Sequence, residues 1–181
     1  MNTSTRRAAF LDRDGTLNAD YPDEEWATKT TPEILCGVTE GLRLIQRIGY
    51  DLVMVTNQYT IGEGIISEEA YGMFTAALLR RLQFVGVTFT AVLYCPHSRI
   101  VDCECRKPKP GLIQRFFTDN PDVDRERSVL IGDSSVDILA GSAAGIETIG
   151  VGSAALQGLG TYRCDTLIEA AKWLSVREYG S

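Results

Sequence analysis

Asp12 and Asp14 stand two residues apart in Phe10-Leu11-Asp12-Arg13-Asp14-Gly15-Thr16, directly after the apolar run Ala8 to Leu11. Side chains two apart on an extended chain point the same way, so both carboxylates can face one ligand. Gly15 lets the backbone turn sharply just beyond them. Two carboxylates beside a phosphate would repel it, and a divalent cation removes that conflict. Mg²⁺ takes oxygen ligands and commonly uses one or two carboxylates together with substrate phosphate. Three further segments offer matching groups. Thr56 and Asn57 close the run Leu52 to Val55 with a hydroxyl and an amide, Arg106 and Lys107 supply cations, and Asp133 and Asp137 add acids after Ile131 and Gly132. Each has an ordinary reading as a turn-former or a solvated charge. Their joint occurrence in one chain points to phosphate chemistry.

A second cluster has a different character. Cys95, His97, Cys103 and Cys105 supply three sulfurs and one imidazole, and His97 is the only histidine of the chain. That is the ligand count of a closed tetrahedral Zn²⁺ site, with no position left for a catalytic water. The cluster ends immediately before Arg106, so a zinc clip would preposition Lys107. Five cysteines without a secretory signal point to reduced thiols or metal ligands rather than disulfides. Cys36 and Cys164 stand alone and read as packing.

The elements that must position these groups follow from the apolar pattern. Ala8 to Leu11, Asp51 to Thr56, Ala91 to Tyr94, Val129 to Ile131 and Thr148 to Val151 read as strands with helical patterns between them, which predicts an α/β fold with a parallel sheet. Val38, Leu42, Ile45 and Ile48 recur at helical spacing before Gly49. Ser67 is a plausible N-cap for a helix to about Gln83, Gly111 to Asp119 and Ser135 to Ala144 read as two more, and Asp165 is placed as the cap of a last helix through Trp173. With no repeat or linker to divide it, the chain reads as a single domain over 1–181.

With DxDGT, the strand-terminal threonine, the lysine and GDxxxD in order, the sequence resembles the haloacid dehalogenase (HAD) superfamily over roughly Ala8 to Gly152. The resemblance implies a three-layer Rossmann-like fold and a Mg²⁺-dependent phosphatase working through an aspartyl-phosphate. It makes Asp12 the nucleophile and Asp14 the acid and base. Thr56, Asn57 and Lys107 would hold the phosphoryl group. Asp133, the Asp12 side chain and the Asp14 carbonyl would ligate Mg²⁺, supported by Asp137.

With the C-x-H and C-x-C zinc loop and no large cap domain, the sequence is similar to the branch of histidinol-phosphate and D-glycero-D-manno-heptose 1,7-bisphosphate phosphatases. Arg106 to Gly111 resembles the heptose group, in which the arginine is also a substrate contact. Glu63 stands where that group usually carries an arginine, and Ser134 replaces a basic residue. Glu63 could instead meet the ammonium of histidinol phosphate, so both substrates stay open. The reading from another class is a non-catalytic, zinc-clipped module that senses a phosphorylated metabolite. A phosphotransferase that passes the group to an acceptor other than water is weaker still.

The chain has 18 lysines and arginines against 24 acids, a net charge of −6. This argues against nucleic-acid binding, which needs a basic face. No apolar run approaches the roughly 20 residues of a membrane helix. A cytoplasmic enzyme with a small phosphorylated metabolite as its partner is expected, with a monomer plausible.

Overall fold

The computed structural model describes residues 6–152 and 159–179. Among the described residues, six strands form one parallel sheet: β1 (Arg7–Leu11), β2 (Tyr50–Asn57), β3 (Phe89–Cys95), β4 (Val129–Gly132), β5 (Glu147–Val151) and β6 (Tyr162–Cys164), in the order β3-β2-β1-β4-β5-β6. Parallel strands require crossover connections. These carry the helices α1 (Asp23–Trp26), α2 (Val38–Arg47), α3 (Tyr59–Gly62), α4 (Glu68–Phe84), α5 (Gly111–Asp119) and α6 (Ser135–Ala143), and α7 (Leu167–Tyr179) follows β6.

β1 is buried throughout, and its alternate residues enter two different cores. Ala9 and Leu11 pack with Leu42 and Ile45 of α2, Leu78 and Leu82 of α4, and Leu174 of α7. Ala8 and Phe10 pack with Ile113, Phe116 and Phe117 of α5 and Ala140 of α6. A strand covered on both faces must be apolar at every position, which is why Ala8 to Leu11 reads as a continuous run. The sheet is the middle of three layers.

The predicted strands and the helices after Gly37, Ser67, Pro110 and Ser134 stand as expected, and Ser67 Oγ accepts the Ala70 N–H at 3.0 Å. The last helix is a correction. It starts at Leu167, with the Thr166 carbonyl accepting from Glu169 and Ala170, and it runs six residues past Trp173. Asp165 lies one residue too early to cap it, and its own N–H donates to Glu169 Oε2 at 2.9 Å. β6 and the single-turn helices α1 and α3 had no sequence expectation.

Candidate active site

The strand order fixes where a ligand can enter. From β1 the chain builds outward through β2 and β3, then returns to lay β4 on the other side of β1. In open α/β sheets, ligands bind outside the carboxyl ends of the strands at such a reversal. Asp12 follows β1 and Asp133 follows β4, and the Asp12 N–H donates to the Ile131 carbonyl at 3.0 Å, tying the two strand ends together. A cleft of about 220 Å³ opens there, and Asp12, Asp14, Thr56, Asn57, Lys107, Asp133 and Asp137 all line it. Arg106 does not; its guanidinium donates to the Ser98 carbonyl at 2.6 Å.

Lys107 is the electrostatic centre of the site. It is 3% exposed, and Nζ reaches Asp12 Oδ1 at 2.6 Å, Asp137 Oδ1 at 2.6 Å and the Val55 carbonyl at 2.8 Å. Burial alone would push a lysine toward neutrality, but the charges of Asp12 and Asp137 outweigh it and hold the ammonium above its ordinary range. Asn57 places this lysine through the backbone. Its Nδ2 donates to the Lys107 carbonyl and its Oδ1 accepts the Lys107 N–H, both at 2.9 Å. Asp12 is pushed up by burial and by Asp137 and Asp14, against the pull of Lys107. Burial and then the Asp137 charge push Asp133 up to about 6, opposed by a 3.2 Å hydrogen bond from Thr16 Oγ1.

Asp14 is surrounded by donors that the sequence did not suggest. Arg13 Nε and a terminal nitrogen donate to its two oxygens at 2.8 Å each, Asn18 Nδ2 donates to Oδ1 at 3.0 Å and Gln58 Nε2 to Oδ2 at 2.8 Å. Gln58 also reaches Thr56 Oγ1 at 2.9 Å. Gly15 lies under this arrangement at φ 84°, where a Cβ would sit 2.2 Å from Asp133 Oδ2. Only glycine makes that turn and leaves room for the acid.

Two donor sets fit metal ions. Asp12, Asp133 and Asp137 offer carboxylate oxygens that lie within 4.8 Å of one another, an all-oxygen set suited to Mg²⁺. Lys107 contacts two of the three, so negative charge is left over for a cation. Cys95, His97, Cys103 and Cys105 form the second set within the same limit. The three sulfurs and the imidazole approach closely, with Cys95 Sγ 3.5 Å from Cys103 Sγ and His97 Nδ1 3.1 Å from Cys105 Sγ, while every cysteine is a free thiol. Thiols and one imidazole gathered this way match a structural zinc set.

The loop bearing these cysteines is locked to α3. A Cβ on Gly62 would lie 2.3 Å from Ser98 N, so the two backbones touch. Glu63 pairs with Arg99, accepting at 2.8 and 2.6 Å from its guanidinium and at 3.1 Å from its N–H. Arg99 also reaches Asp23 at 3.1 Å and stacks 4.3 Å from the Tyr59 ring, which lines the cleft. Glu63 is therefore already matched to a cation of this chain. Ser134 is likewise committed: it N-caps α6 in a capping box with Asp137, whose Oδ2 accepts its N–H at 3.1 Å.

The arrangement agrees with what is found among known proteins. Residues 104–165 match the HAD-hydrolase-like family model. The D-glycero-beta-D-manno-heptose-1,7-bisphosphate 7-phosphatase of Vibrio cholerae is 38% identical over 150 residues, covering 78% of each chain. The D-glycero-alpha-D-manno-heptose-1,7-bisphosphate 7-phosphatase of Photorhabdus laumondii is 37% identical over 159 residues, covering 81% of this chain and 82% of that one. Among solved structures, the D,D-heptose 1,7-bisphosphate phosphatase of B. bronchiseptica, complexed with magnesium and phosphate, superposes with a TM-score of 0.82 at 26% identity, over 94% of this chain and 99% of that one. With its motifs, strand order and these relatives in agreement, the chain belongs to the HAD-type phosphatases, in the family of the heptose-1,7-bisphosphate 7-phosphatases.

Proposed function

We propose that this chain removes the 7-phosphate of D-glycero-D-manno-heptose 1,7-bisphosphate in a Mg²⁺-dependent reaction through an aspartyl-phosphate on Asp12. The observation that carries the reading is the buried Asp12–Lys107 contact of 2.6 Å at the switch point of the sheet. A carboxylate nucleophile held beside a permanent cation is what phosphoryl transfer needs, since its transition state spreads charge over the equatorial oxygens. A purely binding module has no use for it. The relatives' activity supplies the substrate class.

An Asp12 carboxylate oxygen attacks phosphorus as the ester P–O bond breaks, and Asp14 gives its proton to the departing alkoxide. Asp14, now ionised, takes a proton from water; the hydroxide oxygen attacks phosphorus, the Asp12 O–P bond breaks, and inorganic phosphate leaves. Thr56, donating its hydroxyl hydrogen, and Lys107 hold the transferring oxygens. Asn57 acts one step back, by fixing the Lys107 backbone. Asp12, Asp133 and the Asp14 carbonyl would hold Mg²⁺, which neutralises phosphate charge. Both Asp137 oxygens are engaged, by Lys107 and by the N-terminus of α6, so Asp137 orients the lysine. Zn²⁺ on Cys95, His97, Cys103 and Cys105 would brace the loop leading to Arg106 and Lys107.

Glu63, neutralised by Arg99, offers no free carboxylate to the ammonium of histidinol phosphate, which favours the heptose. The relatives divide between β and α anomers, so both belong in the test. With Mg²⁺, heptose 1,7-bisphosphate should release one phosphate and keep the anomeric one, followed by ³¹P NMR. Its kcat/KM should exceed that of histidinol phosphate by at least about tenfold, or about 1.4 kcal/mol. Preference for histidinol phosphate, or loss of the anomeric phosphate, would overturn the assignment.

A further inference from the structure

Arg13 sits between the two acids of the motif, yet the mechanism gives it no work. It is 1% exposed. A buried guanidinium is tolerated only when charge and hydrogen bonds are matched around it. Here the match is made with Asp14 and with two helices. Nε and one terminal nitrogen grip the two Asp14 oxygens at 2.8 Å each, the planar two-pronged geometry of an arginine–carboxylate pair. The other terminal nitrogen donates to Thr75 Oγ1 of α4 at 3.1 Å. The rings of Phe74, Tyr71 and Trp26 lie 5.1, 5.2 and 5.4 Å from the guanidinium carbon. Such rings attract a desolvated cation and confine it. Phe74 and Tyr71 come from α4, and Trp26 of α1 also lines the cleft.

We propose that Arg13 is a positioning residue for Asp14: it fixes the plane of the carboxylate that gives and takes the proton, and α4 fixes Arg13 through Thr75 and the aromatic rings. The inference rests on the acid and base role assigned to Asp14. A merely structural ion pair would stabilise the fold and affect every step alike. A positioning role affects only proton-dependent steps, and these can be separated by the leaving group. An aryl phosphate such as p-nitrophenyl phosphate departs without protonation, so only breakdown of the aspartyl-phosphate then needs Asp14. An alkyl phosphate needs it in both halves.

The test uses Arg13→Lys, which keeps the charge but not the planar grip, and Thr75→Val, which leaves Arg13 in place and removes its tie to α4. With p-nitrophenyl phosphate and Mg²⁺, both variants should show a rapid burst of p-nitrophenol approaching one equivalent per chain. Phosphate should accumulate on Asp12. With heptose bisphosphate, kcat should fall about 10- to 100-fold in Arg13→Lys, a part of the 10² to 10⁴ that proton transfer contributes, with KM little changed. Equal losses on both substrates without a burst, or no loss in either variant, would overturn the proposal. Asp14→Asn is the control: if it keeps its alkyl turnover, the acid and base reading itself fails, whatever the Arg13 variants do.

Discussion

Lys107 faces two carboxylates while only 3% exposed, and that makes its charge structural as well as chemical. Removing one partner from a buried ionic cluster leaves the rest uncompensated. Lys107→Met should therefore cost about 3–5 kcal/mol in urea unfolding, with Mg²⁺ restoring part of it by neutralising Asp12. An unchanged midpoint would show that the cluster relaxes without the lysine. Asp14→Asn should slow phosphoryl transfer from the heptose substrate to Asp12 by about 10² to 10⁴ and from an aryl ester by less, read from single-turnover rates on both. Most of these residues were legible because each follows an apolar run: Asp12, Thr56 and Asp133 all stand at strand ends. Arg13, Asn18 and Gln58 were not. Arg13 meets its partners on α1 and α4, at Trp26 and at Tyr71 to Thr75, and no local pattern announces a contact of that range.

α3 lines the cleft through Tyr59 and Thr60, and the cysteine loop packs against its end at Gly62. Gly62→Ala places a methyl carbon against the Ser98 backbone, so the loop must move. A loss of about 1–3 kcal/mol in stability is expected, as for other overpacked contacts. kcat/KM should fall too, because the same loop continues to Lys107. Normal activity in this variant would mean that the loop position does not matter to the site. The Glu63–Arg99 pair ties the same two segments together, and Arg99 hydrogen bonds hold the Glu63 carboxyl below its usual range. A lowered carboxylate contributes fully above the ordinary glutamate range and loses its contribution as pH falls through the lowered value. Amide exchange in residues 98–101, compared between the native chain and Glu63→Gln, should converge at acid pH; a constant difference would exclude this link. The amphipathic helix after Gly37 was legible from its spacing, whereas α1 and α3, four residues each, are too short for any period to register. The pair also answers the question that Glu63 raised in the sequence, since its partner lies 36 residues away in another loop.

The order of the sheet is the property of the whole molecule that creates the site, and it was not legible at all. Apolar runs mark the first five strands, but the neighbour of each strand is decided by packing across the chain. β6 escaped notice because three residues at a sheet edge, one of them Arg163, carry too little apolar pattern. In the proposed function the two donor sets have different tasks: the carboxylates would hold the ion of the reaction, and the thiols would brace the loop. Chelation of zinc should lower the melting temperature, and Cys103→Ser should lower zinc content from about one per chain, while Mg²⁺ removal stops turnover with little effect on zinc. Zinc content unaffected by Cys103→Ser would remove the clip. At the centre of the account is a phosphoryl group carried briefly by Asp12. Borohydride reduction of the chain during turnover of heptose 1,7-bisphosphate, followed by peptide mass spectrometry, reads this directly. The expected result is reduction of the Asp12 carboxyl to an alcohol, dependent on both substrate and Mg²⁺ and absent in Asp12→Asn. Active turnover with Asp12 unmodified, or modification at another carboxylate, would contradict it.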